Sequence, residues 1–564
     1  MVKDKIKQNL LETLKKMNAD LVDVDIDHPT NPLHGDFSSN IALQLAQTFK
    51  KNPLQIAVEI KENFPKDKFV EKIDVLKPGF INFWLSKDYL LQIVGQLDKE
   101  VLDIPKFHLG KSKRVMVEFA HPNTHKLFHI GHLRNISTGE SIVRLLEAVG
   151  NEVIRTNYQG DVGLHIAKCL YGIKKTDTDI NDLKTLNEKM EFIGKMYTKG
   201  TKEYEESDEA KNEIIEINRK IYNKDPEIMI LWQETRQWSL DYYNQIYQRV
   251  DSHFDRYYFE SELPEQAIEI SQKALEKGIL EKSQGAIVFV GKKYGLDTRV
   301  FINALGYPTY EGKELALAEK QLSEFGEIDK TIHVVTPEQT SFFKVTFKVE
   351  ELINPKKFKN KRFHLIYEWV KLKSGKMSSR EGNIIEGGWL LDEAKNKIMS
   401  KFNCQETTAE ILAVAAVKYS FLKTGTRNQI AFDFDESISL EGNSAPYLIY
   451  TYVRTQSLLK KAGIGKVTVE NTGNSDLNQE ELTLLRMLSK FPYTVLSSAK
   501  SFSPNLIANY LFELTQAYNL FYQKNPILKA DTKTKNFRLS LTRATGFIIK
   551  KGMYLLGIKT VERM

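Results

Sequence analysis

Apolar positions along the chain follow two rhythms. Near the amino terminus Ile6, Leu10, Leu14 and Met17 recur at helical spacing, which predicts an amphipathic helix. A turn-rich stretch, Pro29-Thr-Asn-Pro-Leu-His-Gly35, comes next. Asp36-Phe-Ser-Ser-Asn40 then leads into another helix, and Pro78-Gly-Phe-Ile-Asn-Phe83 reads as a closing strand. From Arg114 the rhythm changes. Arg114-Val-Met-Val-Glu-Phe119 is a short β-branched and aromatic run, the mark of a buried strand. Leu133, Ile136, Val143 and Leu146 return to helical spacing as far as Gly150, a candidate for the left-handed residue past a helix end. Val153-Ile-Arg-Thr156 is a second strand. Strand, turn, helix and strand make a βαβ unit, which should be right-handed and part of a parallel sheet.

From 170 to about 250 the chain is strongly charged and helical, as in Thr201-Lys-Glu-Tyr-Glu-Glu-Ser-Asp-Glu-Ala210, and carries no catalytic signature. It reads as a helical insertion. Beyond about 405, Leu412, Ala416, Tyr419 and Leu422 form one apolar stripe. Ser503-Pro504 is an N-cap followed by proline, and Ile507, Leu511, Leu514, Tyr518 and Phe521 form another stripe. Such stripes predict core packing in an all-helical bundle. The expected organisation is multidomain α/β: a small α/β domain over 1–107, a Rossmann-like parallel-sheet core over 108–404 with the insertion inside it, and the bundle over 405–564.

Composition narrows the class. A chain of 564 residues with 41% hydrophobic and 27% charged residues is an ordinary globular protein of several domains. Two cysteines, Cys169 and Cys404, exclude a disulfide framework and a cysteine-based zinc site. The amino terminus is charged from the start, and no run approaches a membrane span, so a cytoplasmic location is expected. The net charge of +7 is unevenly spread: Phe521–Met564 holds ten Lys/Arg against two Asp/Glu, a net +8, which leaves about −1 for the rest. That excess suits either a surface meeting a polyanion or a solvated basic face.

The candidate chemistry sits in His121-Pro-Asn-Thr-His-Lys-Leu-Phe-His-Ile-Gly-His-Leu-Arg-Asn135, between the first core strand and its helix. At that position unpaired backbone N–H groups and the helix dipole favour phosphate. Gly131 would let a purine lie flat against the backbone. His129 and His132 could donate hydrogen bonds to phosphate oxygens as charge builds in a transition state. A histidine pair beside glycine also arises by chance, and four histidines could form a metal cluster. Pro122 interrupts the segment and no cysteine lies near, which speaks against zinc.

Other stretches decide between these readings. His129–His132 resembles the first nucleotide signature of class I aminoacyl-tRNA synthetases, and Lys376-Met-Ser-Ser-Arg380 resembles the second. Pro122-Asn-Thr-His-Lys126, Gly160-Asp-Val-Gly163, Ala416-Val-Lys-Tyr419, Glu441-Gly-Asn-Ser-Ala-Pro-Tyr447 and Val561-Glu-Arg-Met564 are similar, in order, to the arginyl-tRNA synthetase family. The resemblance covers nearly the whole chain. It implies an ATP-dependent ligase that activates L-arginine and transfers it to the 2′-hydroxyl of the terminal adenosine of tRNA(Arg). ATP with Mg²⁺ is the implied cofactor set, without a protein-bound structural metal, and the chain is expected to act as a monomer away from membranes. Catalysis would rest on His129, His132, Lys376 and Lys126, and ATP would also meet Gly131, Met377, Ser378 and Ser379. Arginine would be held by Asn123, Glu260, Tyr310, Glu314 and Gln339. The amino-terminal domain would touch the tRNA elbow, with Phe37 and Asn40 as candidates, although core packing is an equal reading for Phe37. The bundle would read the anticodon through Tyr447, Tyr450, Arg454 and Asn519, with Lys550 and Lys551 on its basic surface. The chain departs from the family pattern at Ala304-Leu-Gly306, where an aspartate is common. It also carries Glu314 for aspartate, Lys313 for arginine and Val162 for tryptophan. A catalytically inactive tRNA-binding paralogue and a small-molecule nucleotidyltransferase are the rival readings.

Overall fold

The computed structural model describes the chain except residues 1, 20, 22, 30, 32, 33, 99–103, 105, 111, 112, 374–384 and 464–476. It divides into two units. One is Met1–Pro105 with Thr451–Thr494 and Phe512–Ile549; the other is Lys106–Tyr450 with Val495–Leu511 and Lys550–Met564.

The second unit is built on five parallel strands: β1 (Arg114–Glu118), β2 (Glu152–Gln159), β3 (Arg256–Phe259), β4 (Lys330–Val335) and β5 (Arg362–Ile366). Their order in the sheet is β3-β2-β1-β4-β5. The chain crosses from β1 outward to β2 on one side and from β4 outward to β5 on the other. The sheet therefore has a switch point, with a crevice at the carboxyl ends of β1 and β4. Val115, Met116 and Val117 of β1 are fully buried, as expected for a parallel strand covered on both faces. Helix α1 (Ile130–Ala148) is buried along an unbroken run from Leu133 to Leu146, so it is a central helix rather than a surface one. It ends at Gly150, whose φ of 92° permits the amide bonds Gly150 N to Glu147 O and Asn151 N to Leu146 O. The buried amide of Asn135 on α1 joins the two strands at the crevice. Its oxygen accepts from Ala120 N at 2.7 Å and its nitrogen donates to Val334 O at 2.7 Å.

The insertion is a set of helices, Leu186–Glu206, Asp208–Tyr222 and α2 (Pro226–Arg249), inside this unit. Trp232, Thr235, Ser239, Tyr243 and Tyr247 form the buried face of α2. Helix α3 (Tyr310–Phe325) precedes β4. Farther on, Ile430–Phe432 pairs in parallel with Val370–Leu372. The stripe Leu412, Ala416, Tyr419 and Leu422 is buried on helix Glu406–Leu422, as its spacing predicts.

The first unit holds a three-stranded antiparallel sheet, with Phe80–Leu85 between Phe37–Ser39 and Val70–Leu76. Helices Val2–Lys16, Ile41–Phe49, Pro53–Asn63 and Lys87–Asp98 accompany it. Three long carboxy-terminal helices follow in the chain: α4 (Gln479–Ser501), α5 (Asn505–Lys524) and α6 (Thr532–Leu555), parts of which belong to each unit. Ile507, Leu511, Leu514, Tyr518 and Phe521 are all fully buried. Among the described residues no helix is long and apolar enough to cross a membrane.

Candidate active site

The loop that leaves β1 is held from α2. His125 is fully buried. Its amide donates to Ser239 Oγ at 3.0 Å, and its two ring nitrogens bond Thr124 Oγ1 at 3.1 Å and Thr235 Oγ1 at 2.7 Å. The Tyr243 hydroxyl bonds the carbonyls of Asn123 and Lys126 at 2.7 and 2.5 Å. Both nitrogens of His125 are thus engaged in the scaffold. Among the described residues no three His, Cys, Asp or Glu side chains gather as a metal site requires.

His129 is the N-cap of α1. Its Nδ1 accepts the amide of Gly131 at 3.1 Å, and His132 Nδ1 accepts the amide of His129 at 3.2 Å. The two rings stack with centroids 3.7 Å apart. A side-chain Cβ at Gly131 would come within 2.9 Å of His129 Cε1, so only glycine leaves this turn intact. Because a backbone N–H can only donate, both Nδ1 atoms are acceptors, and each neutral ring carries its proton on Nε2. Burial pushes His129 down to about 4 and His132 well below the usual imidazole range, with the Lys126 charge acting in the same direction on both. Near neutral pH the turn presents two neutral Nε2–H donors beside a cation. The Lys126 ammonium also lies 5.3 Å from the ring centre of Tyr197.

Lys376, Met377, Ser378 and Ser379 lie outside the described residues. The segments on either side of them are fixed to α1. Ile130 N donates to Ile385 O at 2.9 Å, Gly387 N donates to Phe128 O at 2.6 Å, and Tyr242 bonds Glu386 Oε1 at 2.6 Å. On the other side the buried Arg134 guanidinium donates to the carbonyls of Glu368, Trp369, Thr426 and Asn428. Sequence reasoning missed Arg134. The only signal is its place two residues after His132.

A second cluster lies at the carboxyl ends of β2 and β3. Asn123 Oδ1 accepts the amide of Gly160 at 3.1 Å. A Cβ at Gly160 would stand 2.6 Å from Asn123 Oδ1 and 2.9 Å from Glu260 Oε1, so the glycine is what lets these side chains converge. Asp161 supports them from below: Ser261 N and Oγ bond its carboxylate at 2.8 and 2.7 Å, and Arg236 Nε pairs with it at 2.8 Å. The buried Glu260 pairs with the buried Lys313, Nζ to Oε2 2.6 Å. Lys313 also bonds the Tyr222 hydroxyl at 3.1 Å, and its ammonium lies 5.6 Å from the ring centre of Tyr310, a largely exposed residue.

Glu314, one residue on from Lys313, is buried, and its Oε1 has no hydrogen-bond partner among the described residues. The same is true of the Tyr158 hydroxyl, which feels the charges of both Glu260 and Glu314. Burial raises the Glu314 carboxyl well above the usual range, and the Glu118 and Glu350 carboxylates add to the rise against Arg362. A carboxyl in that environment ionises readily only when a cation arrives. Gln339 is exposed in the turn Pro337–Gln339 after β4. Asn123, Glu260 and Tyr310 thus gather around Lys313, and Glu314 faces a deeper group of carboxylates. Lys313 drew notice only as standing where arginine is commoner, and Tyr222 and Tyr158 were not foreseen, because the spacing of residues does not announce a pair formed across such separations.

The residues proposed for RNA contact fare unequally. Phe37 is fully buried, stacked on His28 at 4.6 Å and edge-on to Tyr493 at 5.5 Å. It has no free face for a base, and core packing is its role. Asn40 is exposed and lines a cavity of about 510 Å³ with His28, Ser38, Phe80 and Asn82. Arg454 donates to Asn519 Oδ1 at 2.7 Å and lies 5.2 Å from the ring centre of Tyr522, which makes a half-buried polar and aromatic cluster. Tyr447 is half-buried and Tyr450 exposed. Lys550 is exposed and faces Glu562 at 3.4 Å, while Lys551 lies 5.2 Å from the ring centre of Tyr554.

A parallel sheet with this strand order thus carries a donor-lined turn at its switch point, with the buried Glu260–Lys313 pair at the end of β3. Residues 96–434 match the family model described as tRNA synthetases class I (R), catalytic domain. Residues 2–85 match the arginyl tRNA synthetase N terminal domain, and 448–564 the DALR anticodon binding domain. The chain is 32% identical to an arginine–tRNA ligase of Fusobacterium nucleatum, over 97% of this chain and 96% of that one. It is 34% identical to the arginine–tRNA ligase of Bdellovibrio bacteriovorus over 81% and 80% of the two chains. The arginyl-tRNA synthetase structure of Thermus thermophilus superimposes with a TM-score of 0.83 at 25% identity, covering both chains fully. The chain belongs to the arginyl-tRNA synthetase family.

Proposed function

We propose that this protein is an arginine–tRNA ligase that activates L-arginine with ATP and then esterifies tRNA(Arg). What supports the reading is the turn at the head of α1, which offers two neutral Nε2–H donors to phosphate in a chain of the arginyl-tRNA synthetase family. In the first step an arginine carboxylate oxygen attacks the α-phosphorus of ATP, the bond to the β-phosphate bridge breaks, and pyrophosphate leaves. Charge grows on the phosphate oxygens, and the donors of His129 and His132 stabilise it without reorganising. Lys126 supplies a fixed positive charge at the same turn, and Lys376 of the second signature shares that work. The described residues at the turn offer nitrogen donors rather than a carboxylate cage. Mg²⁺ would therefore come with the nucleotide rather than be held by the residues of this turn, and it would neutralise phosphate charge. In the second step the 2′-hydroxyl of the terminal adenosine attacks the arginyl carbonyl, its proton is lost, and AMP leaves.

Guanidinium is planar, permanently charged and rich in donors, so its site needs fixed carboxylates and neutral acceptors. Glu260, Glu314, Tyr310 and Gln339 supply them, and Asn123 lies toward the α-amino group. The amino-terminal domain grips the tRNA elbow around Asn40. The cluster of Arg454 and Asn519 meets the anticodon loop, and Tyr447 and Tyr450 are separate candidates for such a contact. Charging of tRNA(Arg) transcripts that end in 2′-deoxyadenosine or 3′-deoxyadenosine tests the chemistry. The 3′-deoxy species should be charged and the 2′-deoxy species should not; the reverse pattern would refute the assigned second step.

A further inference from the structure

Glu260 meets a cation before any substrate is considered. Lys313 Nζ lies 2.6 Å from Glu260 Oε2, both side chains are about 5% exposed or less, and Tyr222 takes a second ammonium hydrogen at 3.1 Å. The other carboxylate oxygen, Oε1, faces the Gly160 backbone and Asn123. Lys313 and Glu314 are consecutive on α3, yet their environments are opposite. Lys313 closes an ion pair, whereas Glu314 has an orphan oxygen among the carboxylates of Glu118 and Glu350.

We propose that Lys313 is a specificity-determining residue of the amino-acid pocket. By holding Oε2 of Glu260, it keeps that carboxylate ionised with one oxygen for substrate, so two-point pairing with a planar cation falls to Glu314. The proposal rests on the arginine-pocket reading. Charge balance supports it. Lys313 offsets Glu260, and Glu314, disfavoured as an anion by burial and by Glu118 and Glu350, gains its charge when a guanidinium arrives to cancel it. A buried ion pair in a specificity site also excludes a rival ammonium, because Glu260 already has one.

Lys313 acts through Glu260 and is therefore a positioning residue. The charged and titratable groups that face Glu260 are Lys313 and Tyr310 from α3, Tyr222 from helix Asp208–Tyr222, Tyr158 from β2 and Asp161 beyond it. Among these Lys313 is the one cation, and burial opposes ionisation of Glu260. Burial already raises the Glu260 carboxyl above its ordinary range; without Lys313 it should rise further, and the charge should be recovered as pH rises.

The test measures steady-state aminoacylation of tRNA(Arg) by Lys313→Met, Lys313→Arg, Glu260→Gln and Glu314→Gln from pH 6 to 8.5. Lys313→Met should raise the arginine KM at least tenfold at pH 7, and the KM should fall as pH rises, with the ATP KM within twofold of wild type. At pH 8.5 its kcat/KM preference for arginine over lysine should drop at least tenfold. Lys313→Arg should restore the low KM and the wild-type profile. If Lys313→Met does not fold, Glu260→Gln is compared with Glu260→Gln/Lys313→Met, and the second change should alter the arginine KM less than twofold. A normal KM and profile in Lys313→Met, with Glu260→Gln and Glu314→Gln impaired, would overturn the proposal alone. A further tenfold rise in the double variant would also overturn it. Normal arginine kinetics in all the single variants would overturn the pocket reading and this proposal with it.

Discussion

His132 gives the sharpest test of the turn at the head of α1. Its ring does two separable things: Nδ1 accepts the His129 amide at 3.2 Å, and Nε2–H is left to donate toward the phosphate site. His132→Ala removes both. A neutral donor to a growing oxyanion contributes about 1.5–3 kcal/mol, which is about 10- to 150-fold in rate. Loss of the acceptor uncaps α1 at a separate cost of about 0.5–2 kcal/mol in stability. Single-turnover formation of arginyl-adenylate, with tRNA present, should slow by that factor while arginine and tRNA affinities stay within twofold. The pH dependence separates a neutral donor from an imidazolium. Burial holds His129 at about 4 and His132 well below its ordinary value, so neither should titrate between pH 6 and 8. The histidines should therefore add no step to the rate profile in that range. A rate that falls as pH rises through 6.5 in wild type, with the fall absent from His132→Ala, would refute the reasoning. So would a normal activation rate with weakened tRNA binding.

Other substitutions probe the rest of the frame. Gly160→Ala places a methyl group 2.6 Å from Asn123 Oδ1 and 2.9 Å from Glu260 Oε1, and should raise the arginine KM at least tenfold with the ATP KM unchanged. Arg134→Met strips donors from four carbonyls and should lower the unfolding free energy by about 3–5 kcal/mol in denaturant titration, with no rescue by lysine, which lacks the planar fork. Lys418 is buried against the carbonyls of Val250 and Gly557, and burial takes it from its ordinary value down to about 7. Between about pH 7 and 10 the unfolded chain then holds a proton the folded chain lacks, so stability should rise with pH, and Lys418→Met should lose that rise. Neutralising Lys550 and Lys551 should weaken tRNA binding and flatten its salt dependence by about 0.7–0.9 of a log–log unit per lost phosphate contact; unchanged affinity and slope would place this surface away from tRNA.

What could be read from the sequence divides along a physical line. The run Val115–Val117 and the spacing of Leu133, Ile136, Val143 and Leu146 report burial, and burial is periodic in a strand or helix. The parallel sheet, α1 and the stripe from Ile507 to Phe521 were legible for that reason. The turn at His129–His132 was legible because its contacts are local, within three residues. Pairings across distance leave no such trace. Lys313 reaches Glu260 across 53 positions and Arg134 reaches Asn428 across 294, and neither separation has a period. Phe37 was ambiguous because an aromatic after a turn can stack on a base or on a neighbour. Its neighbours, His28 and Tyr493, come from opposite ends of the chain.

Arginine attachment is the claim that everything else serves, and charging of total tRNA by the purified protein, tried with each standard amino acid and ATP, tests it directly. Arginine alone should form an ester with tRNA, with lysine disfavoured by about 10⁴-fold or more, since the buried Glu314 left without a planar cation penalises any other ligand. Charging with a different amino acid, or no charging with arginine by a folded protein that still binds tRNA(Arg), would contradict the account.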